Sequence, residues 1–151
     1  MRTSPERLLS PGWRSRPRSG SLPTSASHLG TNGIVMADLL VDTDVFVDHV
    51  RGASSIKLGP HRLSYSVVTR CELFAGRNAK EESLGLLLSA FAELPVDRAI
   101  AERAGRIRRT TDIRTPDALI AATALEHGLG LLTRNASDFT RVTGLKVIAP
   151  T

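Results

Sequence analysis

The sequence predicts an α/β domain built on a parallel sheet, and three observations carry that expectation. Short strand-like runs recur along the chain with helical segments between them, the pattern of βα units. The first apolar run breaks off at an acid, Asp42, which puts a carboxylate at a strand's carboxyl end, the edge where open α/β sheets bind ligands. The 151 residues, 41% hydrophobic and 23% charged, suit one globular domain able to bury a core without disulfides.

Leu39, Leu40 and Val41 form the first strand. Val45, Phe46, His49 and Val50 then recur at helical spacing, with Gly52 near the end. Residues 62–67 are a second strand, rich in β-branched and aromatic types. Residues 69–75 form a helix closed by Gly76. Leu84, Leu87, Leu88 and Phe91 mark one face of a third helix that ends before Pro95. Ile100, Ala104 and Ile107 mark a fourth, with Glu102 and Arg106 paired at i,i+4. Thr115 suits an N-cap and Pro116 the first helical position, so a fifth helix covers residues 116–127, stopped by Gly128 and Gly130. Leu129, Leu131 and Leu132 lead a strand into Thr133, and residues 145–148 form the last strand.

The net charge of +5 is concentrated at one end. Residues 1–35 hold five arginines against one glutamate, with seven serines, four of the eight prolines and the only tryptophan. They show no hydrophobic period, so they are expected to be a disordered basic tail ahead of a domain at residues 36–151. Met36 directly precedes the first strand, which also suits a start assigned too far upstream; an Arg- and Ser-rich leader is the form of an organellar transit peptide as well. No apolar run reaches membrane-spanning length. Cys71 is the only cysteine, and the four histidines His28, His49, His61 and His127 form no zinc-spaced pair. Cys71 suits a small core position, and His49 and His127 suit helix ends.

Four acids stand at the ends of elements or between apolar neighbours: Asp42 after the first strand, Glu72 between Cys71 and Leu73, Asp117 in a first helical turn, and Asp138 beyond a strand. Acids converging in a cleft repel one another and raise their pKa values. A divalent cation removes that cost, because magnesium and manganese favour carboxylate and water oxygens and also bind phosphate. Such a site hydrolyses phosphodiesters by activating water and stabilising the leaving oxygen. Each acid has a structural reading too. Asp117 complements a helix dipole, Asp138 caps the turn before Phe139, Glu72 pairs with Arg70 or Arg77, and Asp44 caps the first helix. Spacing alone leaves both readings open.

Four blocks in order, LLVDTDVFVDHVRG (residues 39–52), SYSVVTRCELFAG (64–76), TPDALIAATALEHGL (115–129) and LLTRNASDF (131–139), resemble the PIN domain, specifically the VapC-type toxins of bacterial toxin–antitoxin pairs. The resemblance implies an α/β/α sandwich with a central parallel sheet and a cytoplasmic Mg²⁺-dependent endoribonuclease, with Mn²⁺ as the alternative ion. Asp42, Glu72, Asp117 and Asp138 match the family's four acids and would hold the metal. Many members carry Asp where Asn135 stands, so the fourth acid is assigned three residues on, at Asp138. Thr133 matches a family hydroxyl, and Asn135 would orient water through its amide. The implied partners are an RNA substrate such as transfer RNA, a VapB-type antitoxin and a second copy in a homodimer. Arg114 and Arg134 adjoin two of the blocks and are the candidate RNA contacts, ahead of Arg103, Arg106, Arg108 and Arg109. Tyr65 and the four phenylalanines suit core positions, so no stacking platform for bases is visible. Two other readings stay open. Asp42 and Asp44 form the D-x-D that also opens haloacid-dehalogenase-like phosphatases, although Phe46 stands where that motif wants Thr or Val. A PIN-like interaction module without turnover is the second.

Overall fold

The computed structural model describes residues 38–57 and 59–151; the expected tail at residues 1–35 lies outside them. Among the described residues five strands form one sheet: β1 (Asp38–Val41), β2 (Arg62–Ser66), β3 (Ala92–Leu94), β4 (Gly130–Leu132) and β5 (Val147–Ile148), in the order β3-β2-β1-β4-β5. Every pairing is parallel. Six helices of the described residues connect or follow them: α1 (Thr43–Val50), α2 (Val67–Phe74), α3 (Glu81–Leu88), α4 (Arg98–Thr110), α5 (Thr115–His127) and α6 (Ala136–Phe139). The expected α/β/α sandwich is the observed one.

The period of two along a strand builds the layers. In β1, Leu40 and Val41 are both fully buried but on opposite faces. Leu40 joins Leu131, Ile100, Ala104 and the α5 residues Ile120 and Ala121. Val41 joins Val45, Phe46, Tyr65, Leu84 and Leu88. Helix α5 is buried along most of its length, and its alanines at 118, 121, 122 and 124 let α4 and the sheet approach closely. Helix α4 is amphipathic, with Ile100 and Ala104 inward and arginines outward. On the other face Phe46 meets Tyr65 and Phe91 edge-on, with centroids 5.8 and 5.0 Å apart.

Several boundaries differ from the sequence expectation, each for a local reason. Helix α2 starts at Val67 because the Ser66 hydroxyl accepts from the Val68 amide, 3.2 Å away, which ends β2 at Ser66. Helix α5 starts one residue earlier than expected: Arg114 is the N-cap residue and no side chain caps the helix. Helix α3 ends at Leu88, and Phe91 belongs to the turn beyond it. Strand β3 occupies residues 92–94, where the expected third helix runs on toward Pro95, and neither its three residues nor the single turn of α6 is long enough for a period to show. Strand β3 is tied to α2 through a polar cluster. The Tyr65 hydroxyl donates to Glu93 at 2.6 Å, and Arg70 donates to both the Tyr65 oxygen, at 2.8 Å, and Glu93. The hydrogen bonds from Tyr65 and Arg70 hold the Glu93 carboxyl below its usual range, and burial pushes the Tyr65 phenol up to about 12. Cys71, expected in the core, is exposed on α2, because Thr69 and Leu73 take the buried positions of that helix.

Gly128 closes α5 in the left-handed conformation, φ 65°, and the Leu129 amide donates to the Ala124 carbonyl at 2.8 Å, a Schellman-type stop. A Cβ there meets nothing within 4 Å, so the cost of a side chain is conformational only. Gly128→Ala is expected to lose about 1–2 kcal/mol and lower the melting midpoint by a few degrees, with Gly128→Asn losing less. Thermal unfolding followed by circular dichroism checks this, and an unchanged midpoint for the alanine variant contradicts it.

Candidate active site

The carboxyl ends of β1 and β4 lie side by side, and the site is built on them. The Asp42 amide donates to the Leu132 carbonyl at 2.9 Å, holding the first acid level with the end of β4. Asp42 is also the N-cap of α1: Oδ1 accepts from the Thr43 amide at 2.8 Å. Its Oδ2 accepts from the Thr133 hydroxyl at 2.8 Å. Only 5% of the residue is exposed. Burial pushes the Asp42 carboxyl up to about 7, and the charges of Asp44 and Asp117 push the same way, against the bonds from Thr133 and Thr43.

The structure gives Asp44 a different role from the cap expected of it, since Asp42 caps α1. Asp44 Oδ2 accepts from the amides of Arg134 and Asn135, at 3.0 and 3.1 Å, and lies 3.2 Å from the Thr133 hydroxyl. It therefore ties the start of α1 to the loop after β4. Its other oxygen, Oδ1, is buried with no hydrogen-bond partner among the described residues. Glu72 is half-buried on α2, and its Oε2 accepts from the Thr43 hydroxyl at 2.6 Å. It pairs with neither Arg70 nor Arg77; Arg70 is held by Glu93.

Asp117 is buried in the first turn of α5, as expected from sequence, and its partner is Arg114. The guanidinium Nε lies 2.9 Å from Oδ2 and Nη2 lies 3.4 Å from Oδ1. Hydrogen bonding to Asp117 holds the Arg114 guanidinium above its usual pKa, helped by the charges of Asp117, Glu72 and Asp138. Asp42, Asp44, Glu72 and Asp117 line one cleft of about 310 Å³, with Arg114 and Asn135. Asp138 is exposed on α6, where it accepts from the Asn135 amide, and lines a neighbouring cleft that shares Arg114 and Asp117. The structure thus brings three of the four expected acids to one cleft, adds Asp44, and stands Asp138 beside it.

Among the described residues no three His, Cys, Asp or Glu side chains are arranged close enough to enclose a metal ion. Each acid is instead held by a hydroxyl, an amide or Arg114. The chemistry of the set nevertheless suits a hard divalent cation: all its donors are carboxylate oxygens, Asp42 is uncomfortable as an anion, and Asp44 Oδ1 is a buried acceptor still open. Arg134 stands at the rim, 2.9 Å from Asp48 and partly exposed. Three of the other expected RNA contacts are engaged elsewhere: Arg103 pairs with Glu126, Arg106 with Glu102, and Arg108 donates to the Ile113 carbonyl; Arg109 is exposed on α4.

A carboxyl whose folded pKa lies above its unfolded value favours folding at low pH, and that contribution is lost as pH rises through the folded value. For Asp42 the window runs from about 4 to about 7. Asp42→Asn is therefore expected to raise the melting midpoint of the full chain in EDTA at pH 8, by about 1–3 kcal/mol in stability. The gain should vanish near pH 4. Equal midpoints for the two proteins at pH 8 would show that the burial cost is met by other groups.

Residues 39–145 match the PIN domain family. The chain is 32% identical over 126 residues to Ribonuclease VapC1 of Rickettsia felis, spanning 73% of this chain and 94% of that protein. It is 34% identical over 113 residues to Ribonuclease VapC19 of Mycobacterium tuberculosis, spanning 66% and 90%. A chain of a solved toxin–antitoxin complex from Klebsiella pneumoniae superposes with a TM-score of 0.65 at 31% identity, over 75% of this chain and 98% of that one. The order of strands, the acids at their carboxyl ends and these likenesses agree: the chain belongs to the PIN-domain family, in its VapC-type branch.

Proposed function

We propose that this chain is a divalent-metal-dependent endoribonuclease, the toxin of a toxin–antitoxin pair, cutting phosphodiester bonds in RNA with transfer RNA as the substrate class. The observation that carries the reading is the buried Asp42 carboxylate, pushed up to about 7 and sharing a cleft with Asp44, Glu72 and Asp117. The relatives named as ribonucleases support the reaction class, and the toxin–antitoxin complex supports a VapB-type antitoxin as partner. A homodimer in the bacterial cytoplasm completes the proposal.

Asp42, Glu72 and Asp117 would hold Mg²⁺ or Mn²⁺, with Asp138 as the fourth acid from the adjoining cleft and Asp44 Oδ1 as a further oxygen. When bound, the ion supplies positive charge that lowers the pKa of water and offsets charge on the phosphate. The protein's own groups do the rest. The Thr133 hydroxyl orients Asp42, the Thr43 hydroxyl orients Glu72, and Asp44 fixes the loop that carries Asn135. The Asn135 amide can direct water toward the cleft. Arg114 is three-quarters exposed, so it can leave Asp117 for a phosphate oxygen, the exchange a bidentate guanidinium makes readily. No side chain needs to act as a covalent nucleophile. The phosphatase reading loses ground here, because residues 39–145 match the PIN domain and Phe46 stands where the phosphatase motif wants Thr or Val.

The full chain is expected to cleave bulk transfer RNA in Mg²⁺ or Mn²⁺ and to stop in EDTA; undiminished cleavage in EDTA sinks the metal mechanism. Asp117→Asn should lower the cleavage rate at least roughly a hundredfold, more than outer-sphere changes at metal sites usually cost. Its effect on folding should be small, about 0.3–1 kcal/mol for the lost charge at the α5 N-terminus. Normal cleavage with a slightly lower melting midpoint would mean that Asp117 serves only the helix. A chain that binds an antitoxin yet cleaves nothing under any metal would be the interaction module instead.

A further inference from the structure

We infer that the cleft adjoining the acidic one seats the ribose–phosphate backbone of RNA next to the bond to be cut, and that Arg141 is its phosphate contact. This rests on the ribonuclease reading above. The cleft has a volume of about 400 Å³ and lies between the α4–α5 turn and α6. It shares Arg114 and Asp117 with the acidic cleft, so a chain lying across the acids continues into it. Its second guanidinium is Arg141, whose partner is Asp112 at 3.5 Å. That pair is 73% and 100% exposed, and an ion pair so open to water contributes little and exchanges easily. Arg114 and Arg141 are the two cations that line the cleft. The cleft opens at the N-terminus of α5, a thirteen-residue helix that carries no side-chain cap and has Asp117 in its first turn.

The cleft also carries acceptors for a sugar. The Ser137 hydroxyl donates to Asn135 Oδ1 and the Thr140 hydroxyl to the Ser137 carbonyl. Both donors are used inside the protein, and both oxygens keep lone pairs. A ribose 2′-hydroxyl can donate to such an oxygen, and deoxyribose cannot, which is the difference that separates RNA from DNA. Asp112 is the competing anion for Arg141, so removing its charge should help the RNA.

The test uses the full chain with fluorescein-labelled bulk transfer RNA, by fluorescence anisotropy in EDTA over a range of salt, with cleavage of the same RNA followed in Mn²⁺. Arg141→Ala is expected to weaken binding about tenfold and to flatten the salt dependence by roughly 0.7–0.9 in log–log slope, the loss of one phosphate contact. Arg141→Lys should keep the slope and recover part of the affinity. Asp112→Asn should tighten binding. Arg62→Ala, at the opposite end of the sheet, should change nothing. Wild-type affinity and slope in Arg141→Ala, with wild-type protein binding and cutting normally, overturns the inference about the cleft alone. A wild-type protein that neither binds nor cuts the RNA overturns the ribonuclease reading and this inference together.

Discussion

The Asp42 carboxylate has almost no access to water, yet it faces the negative charges of Asp44 and Asp117. An anion in that setting is costly to maintain, and the surrounding sequence is arranged to lessen the cost. The amide of Thr43 and the hydroxyl of Thr133 each give it a hydrogen bond. Thr133 is fully buried, so its hydroxyl has no water to turn to and is committed to the acids. Strand β4 must therefore keep its register against β1, because a slip of one residue would turn Thr133 to the other face of the sheet. The pairing Val41↔Leu132 sets that register one step before Asp42 and Thr133.

The parallel sheet explains why acids distant in sequence meet. All five strands end on the same edge, so the residues following β1 and β4 and the helix following β2 share one rim. Asp42, Thr133 and Glu72 arrive there from these three segments. Asp117 comes from α5, which crosses the sheet beneath the same rim. The α5 helix is short of polar residues because both of its sides are covered. Asp117 is its buried acid, seated in the first turn where the peptide dipoles favour a negative charge.

The elements with a strong period were legible in the sequence. Strand β1, helix α5 and strand β4 stand where the sequence pattern put them, to within two residues, and α4 contains the apolar face expected of it. The parts that were not legible are those fixed by tertiary contact. Strand β3 exists because β2 needs a neighbour, and Ala92–Leu94 is too short to announce itself. The site was legible as a set of acids at element ends, with Asp42 and Asp117 the clearest. Asp44 was undervalued because a carboxylate near a helix start ordinarily caps it. The signal that distinguishes the two roles is that Asp42 already occupies the cap. The α4 arginines are a different case: charge density along a helix shows supply, the i,i+4 spacing already gives Arg106 to Glu102, and the fold adds Glu126 as the partner of Arg103.

Arg114 is where the two halves of the electrostatics meet. It lines both clefts and carries the positive charge closest to Asp117. The same guanidinium feels Glu72 and Asp138, so it lies in the field of acids from three different elements. A flexible cation among fixed acids stands in for a metal charge, and it differs from a metal in being tethered and exposed. A divalent ion bound by the acids would repel the guanidinium and weaken its hold on Asp117. The released side chain would then be open to an anion arriving from solvent as well as to Glu72 and Asp138. On the proposed reading, the charge that neutralises the acids in the protein alone would become available to a phosphate once a metal took its place.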